Sequence, residues 1–288
     1  MRLQLVVNPT AGGGRAAKRL PAVEQALARH DLVVTPTRSL EHADELVAQA
    51  VDDDRVVVAM GGDGLVGRVA GAVAAADGVM AALPGGRGND FCRMLGIPSN
   101  PVAACALVSG GVPTKVDLAE ANGVPFVGIA SIGFDSDVQE RVLRTRVPLG
   151  QLVYLYGALA TVFSWNHARF QVTVDGERQE VHGWSVAVAN SGFYGGGMHL
   201  APDASVTDGA LEVVTTSATS RRHFLSTLPK VFKGTHVADP CVSVRRGATV
   251  ELSADRPFRV FADGDPVATL PCTVTVRPGA LTMLLPGS

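Results

Sequence analysis

The stretch VVVAMGGDGLVGRVAGA, Val56 to Ala72, decides how this chain is read. An apolar run ends in Gly61-Gly62-Asp63-Gly64 and passes into small residues with helical spacing. A buried parallel strand reads as a continuous apolar run, and ligands in open α/β sheets lie at the carboxyl ends of such strands. Glycines there let a ligand approach backbone N–H groups, and the helix start that follows adds a favourable potential for anions. That combination suits phosphate. Asp63 has the wrong sign for a bare anion hole, because two anions repel strongly in a low-dielectric cleft. A divalent cation between them, such as the Mg²⁺ of phosphoryl-transfer sites, removes the conflict. The alternative is a plain strand-to-helix turn with Asp63 as its N-cap.

Working outward, the flanking segments repeat the pattern. Strand-like runs at Leu3–Asn8, Leu32–Thr37, Arg55–Met60 and Val79–Pro84 alternate with helical periodicity at Arg15–His30, Ala43–Val51 and Val66–Ala76, and helices follow through Val108. Strands separated by helices predict a parallel sheet with helices on both faces. Two more strand ends carry glycine-rich loops. NPTAGGGR follows the first strand, with Arg15 and Lys18 beyond it, and PGGRGNDFCRMLGIP follows the fourth, carrying Arg87 and Asp90. Three such loops at one sheet edge are hard to explain as packing. No G-K-[ST] follows the glycines and no GxGxxG is present, so neither a Walker loop nor a dinucleotide fingerprint is expected.

After about Asp117 the rhythm changes to short strands: FVGIASIGF, RFQVTVDG, GWSVAVAN, ALEVVTT, CVSVRRGATVELSA, PFRVFADGD and CTVTVRP. Turn dipeptides such as Asp175-Gly176 and Asp263-Gly264 break them, and helical patterns interrupt near Asp137–Ser164 and Arg221–Gly234. The expectation is an α/β doubly wound nucleotide domain at 1–118 and a mainly antiparallel β-sandwich at 119–288. The junction near Val116–Asn122 has no long linker, and the last strand has the option of returning to the first domain.

Composition bounds the function. The 288 residues are 47% hydrophobic and 5% aromatic with net charge −2, which gives no basic field or stacking surface for nucleic acid. The opening MRLQLVVNP runs straight into a strand pattern without a secretory leader, and the four cysteines form no C-x-x-C pair. A cytoplasmic protein with reduced thiols is expected. The apolar run Leu149–Trp165 falls short of the roughly 20 residues that span a bilayer. Scattered histidines without H-E-x-x-H give no zinc site. Arg221-Arg222 reads as a solvated helix start, with anionic lipid as its alternative partner.

Taken together, Asn8-Pro9, the GGDG at Gly61–Gly64 and GNDFCRMLGIP at Gly88–Pro98 resemble the diacylglycerol kinase catalytic-domain family. SIGFDSDV, the GQLVYLYGAL helix, MHLAPDASVTDGALEVV and ADGD extend the resemblance over essentially the whole chain. The chain is similar to the soluble bacterial lipid kinases and, through them, to sphingosine kinases. The GGDG logic is shared with NAD kinases and phosphofructokinases.

The resemblance implies ATP bound between the two halves and transfer of its γ-phosphoryl group to a lipid hydroxyl, diacylglycerol first. Other lipid or polyol alcohols, and a non-catalytic nucleotide- or lipid-binding regulator, are the alternatives. By position, Gly61, Gly62, Asp63, Gly64, Leu65, Val66 and Gly67 would wrap the phosphates. Thr37 would contact the nucleotide, and Asn8, Arg15, Arg87, Gly88 and Asn89 would belong to the same site. Arg87 stands where the family often has threonine, and Arg15 is the nearest basic residue after the first glycine loop. Asp63, Asp90 and Asp263 match the acids that organise magnesium and water, and Asp265 stands where the family's glutamate base is expected. A second, structural Mg²⁺ would take the Asp208 carboxylate and the carbonyls of Ser205 and Ala210. An apolar acceptor cavity is expected beside Leu149–Trp165 and Ser191–Leu200. Transient membrane-surface contact, with peripheral association and room for a homodimer, completes the expectation.

Overall fold

The computed structural model describes residues 1–144 and 152–287, so the first residues of the Leu149–Trp165 run lie outside it. The N-terminal half alternates β1 (Arg2–Val7), α1 (Ala11–Leu27), β2 (Asp31–Pro36), α2 (Leu40–Asp52), β3 (Val56–Gly61), α3 (Asp63–Ala75) and β4 (Val79–Pro84). Short helices α4 (Asp90–Met94), α5 (Pro101–Ala104) and α6 (Ala106–Gly110) follow. The strands pair in parallel in the order β2-β1-β3-β4. In β1, β3 and β4 nearly every residue is buried, because helices cover both faces, whereas edge strand β2 is largely half-exposed. The regular part of α1 begins at Arg15, because Gly12, Gly13 and Gly14 have φ of 63°, 72° and 86° and cannot continue a right-handed turn. Ser39 caps α2, its hydroxyl accepting from His42 N–H at 3.2 Å.

The C-terminal half runs β5 (Val112–Ala121), β6 (Val124–Phe126), β7 (Ile129–Gly133), α7 (Phe134–Arg144), α8 (Leu152–Ser164), β8 (Ala168–Val174) and β9 (Glu177–Ala189). Then come the short pair β10 (Phe193–Tyr194) and β11 (Met198–His199), β12 (Leu211–Ser217), α9 (Arg221–Val231), a 3₁₀ turn at Thr235–Ala238, β13 (Val242–Gly247), β14 (Thr249–Ala254), β15 (Arg259–Ala262), β16 (Asp265–Thr269) and β17 (Cys272–Leu285). Apart from one parallel pairing, these strands pair antiparallel. The fold is thus a parallel α/β core joined to an antiparallel β-sandwich.

The expected junction near Val116–Asn122 lies mostly in β5, a ten-residue strand paired with β17 from Val112↔Leu285 to Ala121↔Val274. Its partner lies far away in sequence, so local periodicity gave no sign of the ladder. β17 then bridges the halves: Thr282 and Met283 pair in parallel with Val79 and Met80 of β4, while Thr273–Thr275 pair with β14. Leu281 and Met283 enter the first apolar core beside Leu5, Val58 and Leu83. Val274 and Cys272 enter the second beside Phe126, Phe170 and Trp184. The four cysteines are free, and among the described residues no helix is long and apolar enough to cross a membrane.

Candidate active site

The three glycine loops meet as backbone. Gly85 N–H donates to the Gly61 carbonyl at 2.8 Å. A β-carbon on Gly86 would lie 2.4 Å from the Gly62 Cα, and one on Gly12 would lie 2.7 Å from the Gly85 carbonyl oxygen. Only glycine permits this approach. Asn89, in the left-handed region at φ 51°, holds the third loop: its Oδ1 accepts from Gly86 N–H at 2.8 Å. Asn8 organises the first, its Oδ1 accepting from Thr10 N–H at 3.0 Å and from the Thr10 hydroxyl at 2.8 Å. Arg15 Nε donates to the Gly12 carbonyl at 3.1 Å, and exposed Arg87 reaches over Gly13. Thr37 closes β2 with its N–H on the Val7 carbonyl at 2.7 Å.

At the start of α3, Val66 N–H already donates to the Gly62 carbonyl at 3.1 Å. The N–H groups of Asp63, Gly64 and Leu65 precede that first helical bond and point out of the helix end. Leu65 and Val66 have buried side chains, so any contribution from Leu65 is through its backbone. The Asp63 carboxylate does not cap its own helix. Its Oδ1 accepts from Phe91 N–H at 3.1 Å and ties the second loop to the third.

Four acids converge here from both halves. Asp90, buried, pairs through Oδ1 with Arg93, and its Oδ2 accepts from Gly196 N–H at 2.7 Å. Asp263 and Gly264 form a two-residue hairpin turn between β15 and β16 with φ of 52° and 93°. That turn aims Asp263 at the link between β6 and β7: Oδ2 accepts from Val127 N–H and Oδ1 from Gly128 N–H, both at 2.9 Å. A β-carbon on Gly67 would lie 2.6 Å from Asp263 Oδ2, and one on Gly64 would lie 3.1 Å from Asp265 Oδ2. One on Gly88 would fall 3.0 Å from Asp63 Oδ2 and 3.1 Å from Asp90 Oδ2. The Asp pair therefore faces a cradle that a methyl group would fill.

Electrostatics agree with the crowding. Burial first, then the Asp90 charge, holds Asp63 above its ordinary value. Burial pushes Asp263 up to about 7; Asp63 and Asp265 add to the rise while the two amide bonds oppose it. Burial alone raises Asp265. Arg93 neutralises Asp90, but Asp63, Asp263 and Asp265 have no cationic partner among the described residues. A set of hard oxygen donors with unbalanced negative charge fits a divalent cation.

Sequence reading missed Arg93 and Gly196. Asp90 and Arg93 are spaced i, i+3, a signal available on any short helix. Gly196 lies between Gly195 and Gly197, all three at positive φ (62°, 86° and 114°), so the β10–β11 tip turns tightly enough to put an N–H on Asp90. Its partner is 106 residues away, which no local pattern shows. Arg93 also lies 5.7 Å from the Phe193 ring centroid, which anchors the same hairpin.

The structure sets Asp208, Ser205 and Ala210 in a separate turn. Asp208 Oδ1 accepts from Ala210 N–H at 3.1 Å and its Oδ2 pairs with Arg246; the Ser205 hydroxyl lies 3.2 Å from that of Thr207. Beside them the buried Oε2 of Glu212 has no partner. Of the helix expected to wall an acceptor cavity, Val162 and Trp165 are buried while Leu159 and Phe163 are 42% and 70% exposed. The cavities at its end are lined mainly by polar side chains.

Comparison with known proteins matches this geometry to a family. Residues 2–121 match the diacylglycerol kinase catalytic domain, and residues 128–285 match the YegS C-terminal NAD kinase beta sandwich-like domain. A diacylglycerol kinase of Mycobacterium tuberculosis is 34% identical over 299 residues, covering 99% of this chain and 95% of the relative. A diacylglycerol kinase of Bacillus subtilis is 26% identical over 279 residues, covering 94% and 91%. The crystal structure of a diacylglycerol kinase from Bacillus anthracis superposes with a TM-score of 0.78 at 23% identity, over 99% of this chain and 97% of that one, a likeness of fold. Fold and site define a lipid kinase, a phosphotransferase with an alcohol acceptor. The chain belongs to the diacylglycerol kinase catalytic-domain family, with the YegS-type sandwich as its second half.

Proposed function

We propose that this protein transfers the γ-phosphoryl group of ATP to the free hydroxyl of diacylglycerol, giving phosphatidic acid. The observation that carries the reading is the convergence of Asp63 and Asp90 on the cradle at Gly88, with Asp263 and Asp265 arriving from the other half. The name of the Mycobacterium tuberculosis relative supplies the acceptor class. Residues 1–118 would carry the nucleotide and 119–288 the acceptor.

Among the residues named from sequence, the N–H groups of Asp63, Gly64 and Leu65 would bind phosphate oxygens. Gly61, Gly62, Gly67, Gly88 and Asn89 would hold the loops open, and Arg15 and Arg87 would offset phosphate charge. Asn8 and Thr37 would shape the nucleotide edge. Asp63 and Asp90 would hold Mg²⁺, which when bound neutralises charge on the transferring phosphates. Asp263, fixed by two amides, would orient Asp265, whose carboxylate would take the acceptor hydroxyl proton. A structural Mg²⁺ at Asp208, with the carbonyls of Ser205 and Ala210, would have to displace Arg246, and the unpartnered Glu212 Oε2 would gain from the exchange. Contact with a membrane surface is supported by exposed Leu143 at the end of α7, next to Arg144, and by exposed Leu159 and Phe163 on α8.

The test is ADP release and radiolabelled product formation with Mg-ATP over a panel of diacylglycerol, sphingoid base, lipid-linked sugar and soluble polyol. Phosphatidic acid as the preferred product supports the proposal. Turnover confined to another alcohol overturns the acceptor, and nucleotide binding with no turnover on any overturns the reaction.

A further inference from the structure

Away from the glycine loops and the acid cluster, three side chains of different chemistry converge where α9 meets β13. Ligand atoms of His223, Asp239 and Cys241 all lie within 4.8 Å of one another. Among the described residues this is the one place where three His, Cys, Asp or Glu side chains come so close.

Local structure sets the group. Ser220 caps α9 by accepting from His223 N–H at 3.2 Å, which fixes His223 in the first turn. Lys230, seven residues on, lies on the same face of the helix. The chain then reverses through the 3₁₀ turn at Thr235–Ala238, and Asp239 N–H donates to the His236 carbonyl at 2.9 Å. The Asp239 side chain is only 4% exposed, and it organises its neighbours. Its Oδ1 lies 2.8 Å from His223 Nε2 and accepts from Cys241 N–H at 3.3 Å, while its Oδ2 accepts from Lys230 at 3.2 Å. The Cys241 thiol bonds the same carboxylate. Imidazole and thiol therefore point at one buried oxygen, from side chains that are themselves partly open to solvent.

An ion pair accounts for His223, Asp239 and Lys230, but not for the thiol, which is a weak donor and a strong ligand once deprotonated. Nitrogen, oxygen and sulfur together suit zinc, with three protein ligands and water in a fourth position. Zinc bonds of about 2.0–2.3 Å put tetrahedral donor atoms roughly 3.3–3.7 Å apart, a spacing that small side-chain rotations reach from this arrangement. The magnesium chemistry of the acid cluster needs oxygen donors only, so the two places select different ions.

We infer that His223 Nε2, Asp239 Oδ1 and Cys241 Sγ bind a zinc ion. Binding releases the thiol proton to solvent and moves the imidazole proton to Nδ1, so that Zn²⁺, carboxylate and thiolate are together neutral. Lys230 stays on the second carboxylate oxygen as the outer partner that orients the ligand. The ion would staple α9 to β13 and stiffen the turn between them. A β-carbon on Gly234 would lie 2.9 Å from Pro202 Cγ and 3.1 Å from His199 Nδ1, so this turn rests on the β10–β11 hairpin. His199 stacks on Phe193 at 4.2 Å, and Phe193 carries Arg93, the partner of Asp90. The site is thus structural, and it stands whichever alcohol the enzyme phosphorylates.

The experiment strips the full chain with EDTA, dialyses it and titrates it with zinc, using cobalt as the spectroscopic probe. Thiolate bound to Co²⁺ gives a near-ultraviolet charge-transfer band that an all-oxygen site does not give. One zinc per chain should survive gel filtration, and zinc should erase the cobalt band. Zinc at about 100 times its dissociation constant should raise the melting temperature by about 4 °C. Cys241→Ser should abolish the band and weaken zinc binding at least about 100-fold. His223→Gln should weaken it comparably, and melting in EDTA shows that both variants are folded. Asp63→Ala should keep the band, which separates this site from the cleft. No retained zinc and no cobalt band, a band unchanged in Cys241→Ser, or a band lost in Asp63→Ala overturns the inference. None of these readouts depends on turnover, so failure here is distinct from failure of the kinase reading.

Discussion

Replacing Asp263 with asparagine tests the electrostatics of the cleft most directly. Burial moves this carboxyl from 3.8 to about 7, so between those values the folded chain keeps a proton that the unfolded chain has released. A folded value raised above the unfolded one gives stability that is complete below 3.8 and is lost as pH rises through 7. At about 1.36 kcal/mol per unit, the shift corresponds to a gross cost of about 4 kcal/mol for the charged form at pH 8. Relaxation and water entry bring this to about 2–3 kcal/mol. Asp263→Asn removes that cost but forfeits one of the two amide hydrogen bonds, a loss of about 1 kcal/mol. In EDTA at pH 8 the variant should be the more stable by about 1–2 kcal/mol, a rise of about 3–6 °C in melting temperature. At pH 5 the parent chain holds its proton, so the difference should vanish or reverse. Differential scanning calorimetry at the two pH values reads both. A variant that is less stable than wild type at pH 8, or shifted equally at both pH values, refutes the argument.

Gly88→Ala places a methyl group about 3 Å from the Asp63 and Asp90 oxygens. Turnover should fall at least about 100-fold with little change in melting temperature; near-normal turnover would count against the cradle. Asp63→Ala should abolish turnover and any magnesium-dependent thermal shift, and a variant that keeps both rejects the metal role. Asp265→Asn should lower kcat about 100-fold or more while leaving ATP affinity almost unchanged. In the parent chain the rate should rise with pH through the raised Asp265 pKa, and a flat profile would remove Asp265 as base. Asp265→Glu should raise kcat if the shorter side chain limits reach, which steady-state kinetics checks.

The legible parts of the molecule were those with local signatures. Apolar runs ending in glycine gave the parallel sheet, because strands buried on both faces show no alternation and need a turn where a ligand approaches. Asp63 could be picked out because a carboxylate between glycines at a strand end conflicts with an anion site unless a cation lies between, whereas the roles of Asp90, Asp263 and Asp265 came through the family resemblance. Partnership across distance was hidden. Asp63 bonds Phe91 rather than capping α3, Asp90 meets Gly196 across the cleft, and β5 finds β17 at the other end of the chain. In each case one member is a backbone group, and backbone groups leave no residue-type signal. The grouping of His223, Asp239 and Cys241 was equally invisible, since their spacing matches no ligand motif.

The placement of β17 also governs how a newly made chain must fold. The β4 edge stays open until Thr282 and Met283 have been synthesised, so the first half leaves the ribosome with an apolar strand awaiting its neighbour. Translation arrested shortly before those residues should yield a sticky, protease-sensitive product even though all three glycine loops are present.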